Sequence, residues 1–265
     1  MFSHAEILPL ERVPGRGYDE PISQERCTVK IRLALFLLLL LPAAAFAGKP
    51  NWIKRATGFA GDCKGDCHPI TVTAPDKKTA VEVLYQDGGA YLRVTQPGQP
   101  AREIHDVFSS PHNDLLWAPD SKAFFVDAGE GMTSPSFVQL YLLDDPQLRS
   151  LDITRLVERD MVKTFPPCQA LFLDQATCRK IEARPDYNMT AITWLEDSSA
   201  VVILAQVPCT SNFGGISCQS MGYEVEVPSG TIRKQLPPAE FKKQYQKFLE
   251  QKYEVPIPPQ YAAPR

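Results

Sequence analysis

The sequence predicts a mainly β protein. Its expected build is three blade-like, four-stranded antiparallel units, as a partial or open propeller or a β-sandwich, followed by a C-terminal α-helix. Three observations carry this. A strand–turn–strand segment recurs three times. Proline makes up 24 of 265 residues, and each interior proline removes a helical hydrogen bond and clashes with the preceding turn, which disfavours a long-helix bundle. The chain then changes character at Pro238, where apolar residues take up helical spacing.

The first segment runs from Ile70-Thr71-Val72-Thr73 through Ala74-Pro75-Asp76-Lys77-Lys78 into Ala80–Tyr85. The second runs from Leu115-Leu116-Trp117 through Ala118-Pro119-Asp120-Ser121-Lys122 into Ala123–Val126. The third runs from Ala191–Trp194 through Leu195-Glu196-Asp197-Ser198-Ser199 into Ala200–Leu204. Pro at the second turn position and Asp at the third suit a tight reversal. Each segment therefore reads as a β-hairpin. Two more strands follow each hairpin: Ala90–Val94 and Glu103–Val107, Val138–Leu143 and Arg149–Ile153, Gly222–Val227 and Gly230–Arg233. Four strands per unit is the build of a propeller blade.

Trp117-Ala118-Pro119-Asp120-Ser121-Lys122 resembles the W-S-P-D-G-K turn of bacterial propeller repeats of the TolB/PD40 type. The first unit has Val72 in place of the Trp; the third keeps Trp194 but lacks the Pro. The resemblance covers roughly residues 70 to 235 at the level of the repeat. It implies blade architecture and little about function, because propellers host enzymes, scaffolds and receptors alike.

Asp76 and Asp120 lie 44 residues apart, a WD40-like period. Asp120 and Asp197 lie 77 apart. The excess is assigned to an inserted segment, 154–184, with a short helix near Ile153, Leu156, Val157 and Met161 and a loop between Cys168 and Cys178. A closed propeller takes ~4 blades or more, so three are expected to stay open. After Pro238, the spacing of Phe241, Tyr245, Phe248 and Leu249 predicts an amphipathic helix docked on the β domain, with Lys242, Lys243 and Lys247 on its other face. A helix for a partner or a membrane surface is the alternative. The expected organisation is a polar leader or mis-assigned start at 1–29, a signal segment at 30–47, the β-blade domain at 48–237, and the helix with a Pro-rich tail at 238–265.

Leu33–Leu41 is an unbroken apolar run preceded by Lys30 and Arg32, broken by Pro42 and followed by Ala43-Ala44-Ala45-Phe46-Ala47. This is the plan of a secretory signal peptide cleaved before Gly48. Segment 31–47 is 17 residues long and holds a proline, whereas a spanning helix wants ~20 residues; a retained membrane anchor is the alternative. The expected location is periplasmic or secreted. Six cysteines follow the cut in three close pairs: Cys63 and Cys67, Cys168 and Cys178, Cys209 and Cys218. An oxidising compartment makes disulfides their default. Short loops cost least entropy to close, so local pairing is expected.

The net charge of -3 offers no basic surface for a phosphate backbone, which argues against a nucleic-acid binder. No G-x-S-x-G or S-x-x-K motif marks a hydrolase nucleophile. The glycine-rich stretch Asp127–Ser134 is acidic and does not fit a P-loop. His105 falls in a strand and His112 in a loop, with no nucleophile paired to either. Asn188-Met189-Thr190 is a glycosylation sequon. Cys63, Cys67 and His68 loosely fit covalent haem attachment or a zinc site. The expectation is a non-enzymatic binding or interaction domain without cofactor, taking a protein or small ligand. The alternatives are an exported hydrolase with an unlocated active site, and a c-type haem or metal protein through Cys63, Cys67 and His68.

Overall fold

One turn geometry, repeated three times, organises the chain. The computed structural model describes residues 53–63, 65–108, 110–129, 137–143, 148–166, 174–183, 187–209 and 216–249. In each turn the residue before the Pro position closes the hairpin: Ala74 N–H donates to Thr79 O, Ala118 N–H to Ala123 O, and Leu195 N–H to Ala200 O. The turn aspartate then accepts the amide two residues on, from Lys78, Lys122 and Ser199 respectively. Lys77, Ser121 and Ser198 take the left-handed position between them, with φ of 58°, 66° and 60°.

This register corrects one sequence expectation. Ala74 matches Ala118, so Thr73, and not Val72, stands where blade 2 has Trp117.

Blade 1 is β2 (Ile70–Thr73), β3 (Ala80–Gln86), β4 (Gly89–Thr95) and β5 (Arg102–Phe108) in that spatial order. Blade 2 is β6 (Asn113–Trp117), β7 (Ala123–Ala128), β8 (Phe137–Leu142) and β9 (Arg149–Asp152). Blade 3 is β10 (Asn188–Trp194), β11 (Ala200–Gln206), β12 (Ser220–Glu226) and β13 (Ile232–Leu236). All pairings are antiparallel and the three sheets remain separate, as an open array. Blade 2 gains a fifth strand that the sequence reading did not include. β1 (Thr57–Phe59) pairs with β6, Thr57 opposite Leu115 and Phe59 opposite Asn113. An uncovered strand edge presents unpaired amides and carbonyls, and this short segment satisfies those of β6.

Two side-chain links recur at each blade-to-blade contact. Trp117 Nε1 donates to Val72 O at 3.0 Å, and Trp194 Nε1 to Leu116 O at 3.2 Å. Asp76 N–H donates to Ser121 Oγ at 2.9 Å, and Asp120 N–H to Ser198 Oγ at 3.0 Å. Blade 1 carries Thr73 and Lys77 at these positions, so its own outer side lacks both linking groups. That side is open to solvent, with Arg93 paired to Glu103 at 2.9 Å.

Apolar packing follows the same order. Val81, Val83, Leu92 and Val94 of blade 1 meet Leu115, Trp117, Phe124 and Val126 of blade 2. Phe125 and Leu140 of blade 2 meet Met189, Ala191, Val201 and Ile203 of blade 3. β7, β10 and β11 are buried along their whole length, which only strands covered on both faces show. α1 (Ile153–Thr164) lies in the expected insert and buries Ile153, Val157 and Met161; Asp152 caps it by accepting the Arg155 amide at 3.1 Å. α2 (Gln175–Ala183) follows, with the Asp174 carboxylate accepting the amides of Ala176 and Thr177.

α3 (Pro238–Tyr245) covers the outer face of blade 3, burying Phe241 and Tyr245 against Ile192, Val202, Leu204 and Leu236. Gly222 permits this approach: a Cβ there would lie 2.0 Å from Phe241 Cδ2. Tyr245 donates its phenol to Glu224 Oε1 at 3.0 Å. Burial, then the Glu224 bond, pushes that phenol up to about 12. The described residues all belong to one unit, Gly48–Arg265.

Candidate functional site: the groove along the inner strands

The first strands of the three blades, β2, β6 and β10, meet along one groove of about 750 Å³. That volume lies in the range of ligand sites. Leu115, Leu116, Trp117 and Trp194 line it. Both indole N–H groups are already spent on the carbonyls of Val72 and Leu116, so the rings offer apolar surface only. Thr73, Pro75, Pro119 and Glu196 are its exposed lining residues on the blades.

One wall is cationic. Lys54, Arg55 and Lys247 lie on it with Phe248. The two chain segments that build the wall are tied together. Ile53 bridges to Leu249, Lys54 N–H donates to Phe248 O at 2.9 Å, and Lys54 Nζ donates to Lys247 O at 2.9 Å. Lys247 Nζ sits 4.9 Å from the Phe248 ring centroid. Arg55 is exposed, with a left-handed φ of 73°. Glu196 is the one carboxylate among the lining residues. A second, smaller hollow of about 640 Å³ lies between the turns of blades 2 and 3 and mixes Asp120, Lys122, Arg149 and Asp197.

A buried polar cluster sits at the other end of blade 2. Asp114 and Asp127 face each other across β6 and β7. His112 Nε2 lies 3.4 Å from Asp114 Oδ1. Burial, and secondarily the Asp114 charge, pushes the Asp127 carboxyl well above the usual range, although the Ala191 amide bonded to it acts the other way. Sequence reading missed this pair. The signal was present: counting back from the turn, Trp117 faces Phe124, and the same register brings 114 to 127. Among the described residues, no three His, Cys, Asp or Glu side chains group as metal ligands.

Cys63 is bonded to Cys67 and Cys209 to Cys218, so their sulfurs are closed to the thioether or thiolate bonds that a haem or zinc site through Cys63 and Cys67 requires. His68 beside them is exposed. Cys168 lies outside the described residues; its expected partner Cys178 is in α2. His105 stacks on Tyr91 at 5.1 Å on the solvent-exposed side of blade 1. His112 lies in the loop before β6, as expected, and is buried there. Asn188 of the sequon is 2% exposed within β10, which leaves no room for a glycan. Of Asp127–Ser134, Glu130 onward lies outside the described residues, as do residues 31–47. No described helix is long and apolar enough to cross a membrane.

These features define a class: an open array of antiparallel blades with a groove along its inner strands, carrying local disulfides of the kind found outside the cytoplasm. No family model and no curated protein matches the chain. Among solved structures it is similar to TolB from Acinetobacter baumannii, at 11% identity and a TM-score of 0.29, over 68% of this chain and 32% of that one. The chain thus spans about a third of that protein's length. The likeness is weak and concerns the fold.

Proposed function

We propose that the chain is an exported, non-enzymatic interaction domain whose binding surface is the groove along β2, β6 and β10. The groove itself carries the reading. It joins an apolar floor, whose indole donors are already used, to a wall of three cations. Such a surface is suited to holding a partner. The N-terminal apolar segment, with the A-x-A pattern before Gly48, supports export. The paired cysteines support an oxidising destination. The third pair, Cys168 with Cys178, belongs to the same reading.

The test is to fill the groove. Thr73 is exposed at its edge, so Thr73→Trp blocks it without touching the core. A partner cross-linked to the wild type is lost from this variant, while circular dichroism is unchanged. A partner retained by the folded, blocked variant rejects the groove as the binding surface.

A further inference from the structure

Resting on that reading, we propose that the groove takes an extended, acidic polypeptide segment. The first ground is charge. Lys54, Arg55 and Lys247 face a single carboxylate, Glu196, in a chain whose net charge is -3. The cationic wall therefore runs against the overall composition. Elsewhere among the described residues, Arg93 pairs with Glu103, Arg155 with Asp152, Arg233 with Glu224 and Lys234 with Glu240. Arg55 has no carboxylate partner among the described residues. Its left-handed backbone, with φ of 73°, is a conformation that L residues adopt only at a cost. The pairing of the two wall segments holds it there.

The second ground is backbone. β2 is an edge strand of its sheet and reaches the groove at Val72 and Thr73. It alternates a buried Val72 with exposed Thr71 and Thr73. An exposed edge strand accepts an added strand through main-chain hydrogen bonds. A segment lying there meets the cations with its carboxylates and the apolar floor with its intervening side chains. Three cations are too few for a nucleic-acid backbone, which needs a broad basic surface.

The test uses the full chain and three fluorescein-labelled dodecapeptides, alternating Val with Glu, Gln or Lys. Fluorescence anisotropy is expected to show the Glu peptide binding at least about tenfold tighter than the Gln peptide, and the Lys peptide not binding. Raising salt from low to high ionic strength weakens the Glu peptide severalfold, because exposed charges are screened. Arg55→Ser with Lys247→Ser reduces binding about tenfold, whereas Lys122→Ser, outside the groove, leaves it unchanged. Equal binding of the Glu and Gln peptides, lost in Thr73→Trp, overturns the acidic partner but keeps the groove. No binding by any of the three, or binding indifferent to Thr73→Trp, overturns both. Absence of a salt effect on the wild type overturns the acidic partner even where the double variant fails to fold. A heparin oligosaccharide that binds the groove more tightly than the Glu peptide overturns the assignment to a polypeptide.

Discussion

Trp194 Nε1 donates to the Leu116 carbonyl at 3.2 Å, one blade away. The bond repeats the one from Trp117 to Val72. With the paired Asp–Ser links, it fixes the spacing of β2, β6 and β10 and so the walls of the groove.

Trp194→Phe keeps most of the ring area and removes this hydrogen bond, leaving the Leu116 carbonyl without its indole partner. A loss of about 1–3 kcal/mol in urea unfolding is expected. The parallel test is Ser198. Ser198→Ala loses the hydroxyl and keeps a left-handed φ of 60°, whereas Ser198→Gly loses the hydroxyl but relieves the backbone. Alanine should therefore destabilise more than glycine. The reverse order contradicts the geometry of the turn.

Asp127 supplies a pH test. Its carboxyl is raised by burial and then by Asp114. The folded state thus holds the proton more tightly than the unfolded chain, whose Asp titrates near ~3.9. The stabilisation from this proton is present in full below that value and is lost as pH rises toward the folded pKa. Asp127→Asn removes the penalty. Its melting temperature should exceed the wild type's at pH 7 and match it at about pH 3.5, with a gain of order 1–3 kcal/mol at neutrality. An Asn variant less stable at pH 7 would show that Asp127 is ionised and paired in the fold.

Gly222 tests the seat of α3. A Cβ at 2.0 Å from the Phe241 ring cannot be accommodated without movement of the helix. Gly222→Ala should lower stability by about 1–3 kcal/mol as overpacking does, and should expose amides of 238–245 to hydrogen exchange. Exchange unchanged in the variant would mean that Phe241 is not held against β12.

The two closed cysteine rings differ in length. Cys209 and Cys218 are nine residues apart, Cys63 and Cys67 four. In the chain-entropy picture the first contributes ~2–3 kcal/mol and the second ~2 kcal/mol. Reduction should lower the melting temperature and leave the β domain folded, because its core lies in the blades. Peptide mapping without reduction should also recover Cys168 joined to Cys178. A cross-link from either to Cys63 or Cys67 contradicts local pairing.

The hairpins were legible because Pro75-Asp76, Pro119-Asp120 and Glu196-Asp197 follow local turn chemistry, and α3 because its apolar spacing is local too. β1 was not: Thr57-Gly58-Phe59 is too short for a pattern and is a strand only because β6 lies open beside it. The one-residue misplacement at Val72 arose because blade 1 has no Trp to anchor the count. The groove was hidden for a related reason. Lys54, Arg55 and Lys247 lie far apart in sequence, and only the pairing of Ile53 with Leu249 brings them onto one wall.

The most direct measurement follows the indole N–H resonances. The chain has three tryptophans, and Trp117 and Trp194 both line the groove. Their indole signals in a nitrogen-15 spectrum report on the groove floor and on the blade-to-blade bonds beneath it. Addition of the Glu–Val peptide to the full chain should shift both resonances saturably, with backbone shifts at Thr73 and Arg55. Saturable shifts confined to the hollow around Lys122 and Arg149, with both indoles unmoved, would contradict the groove as the binding surface.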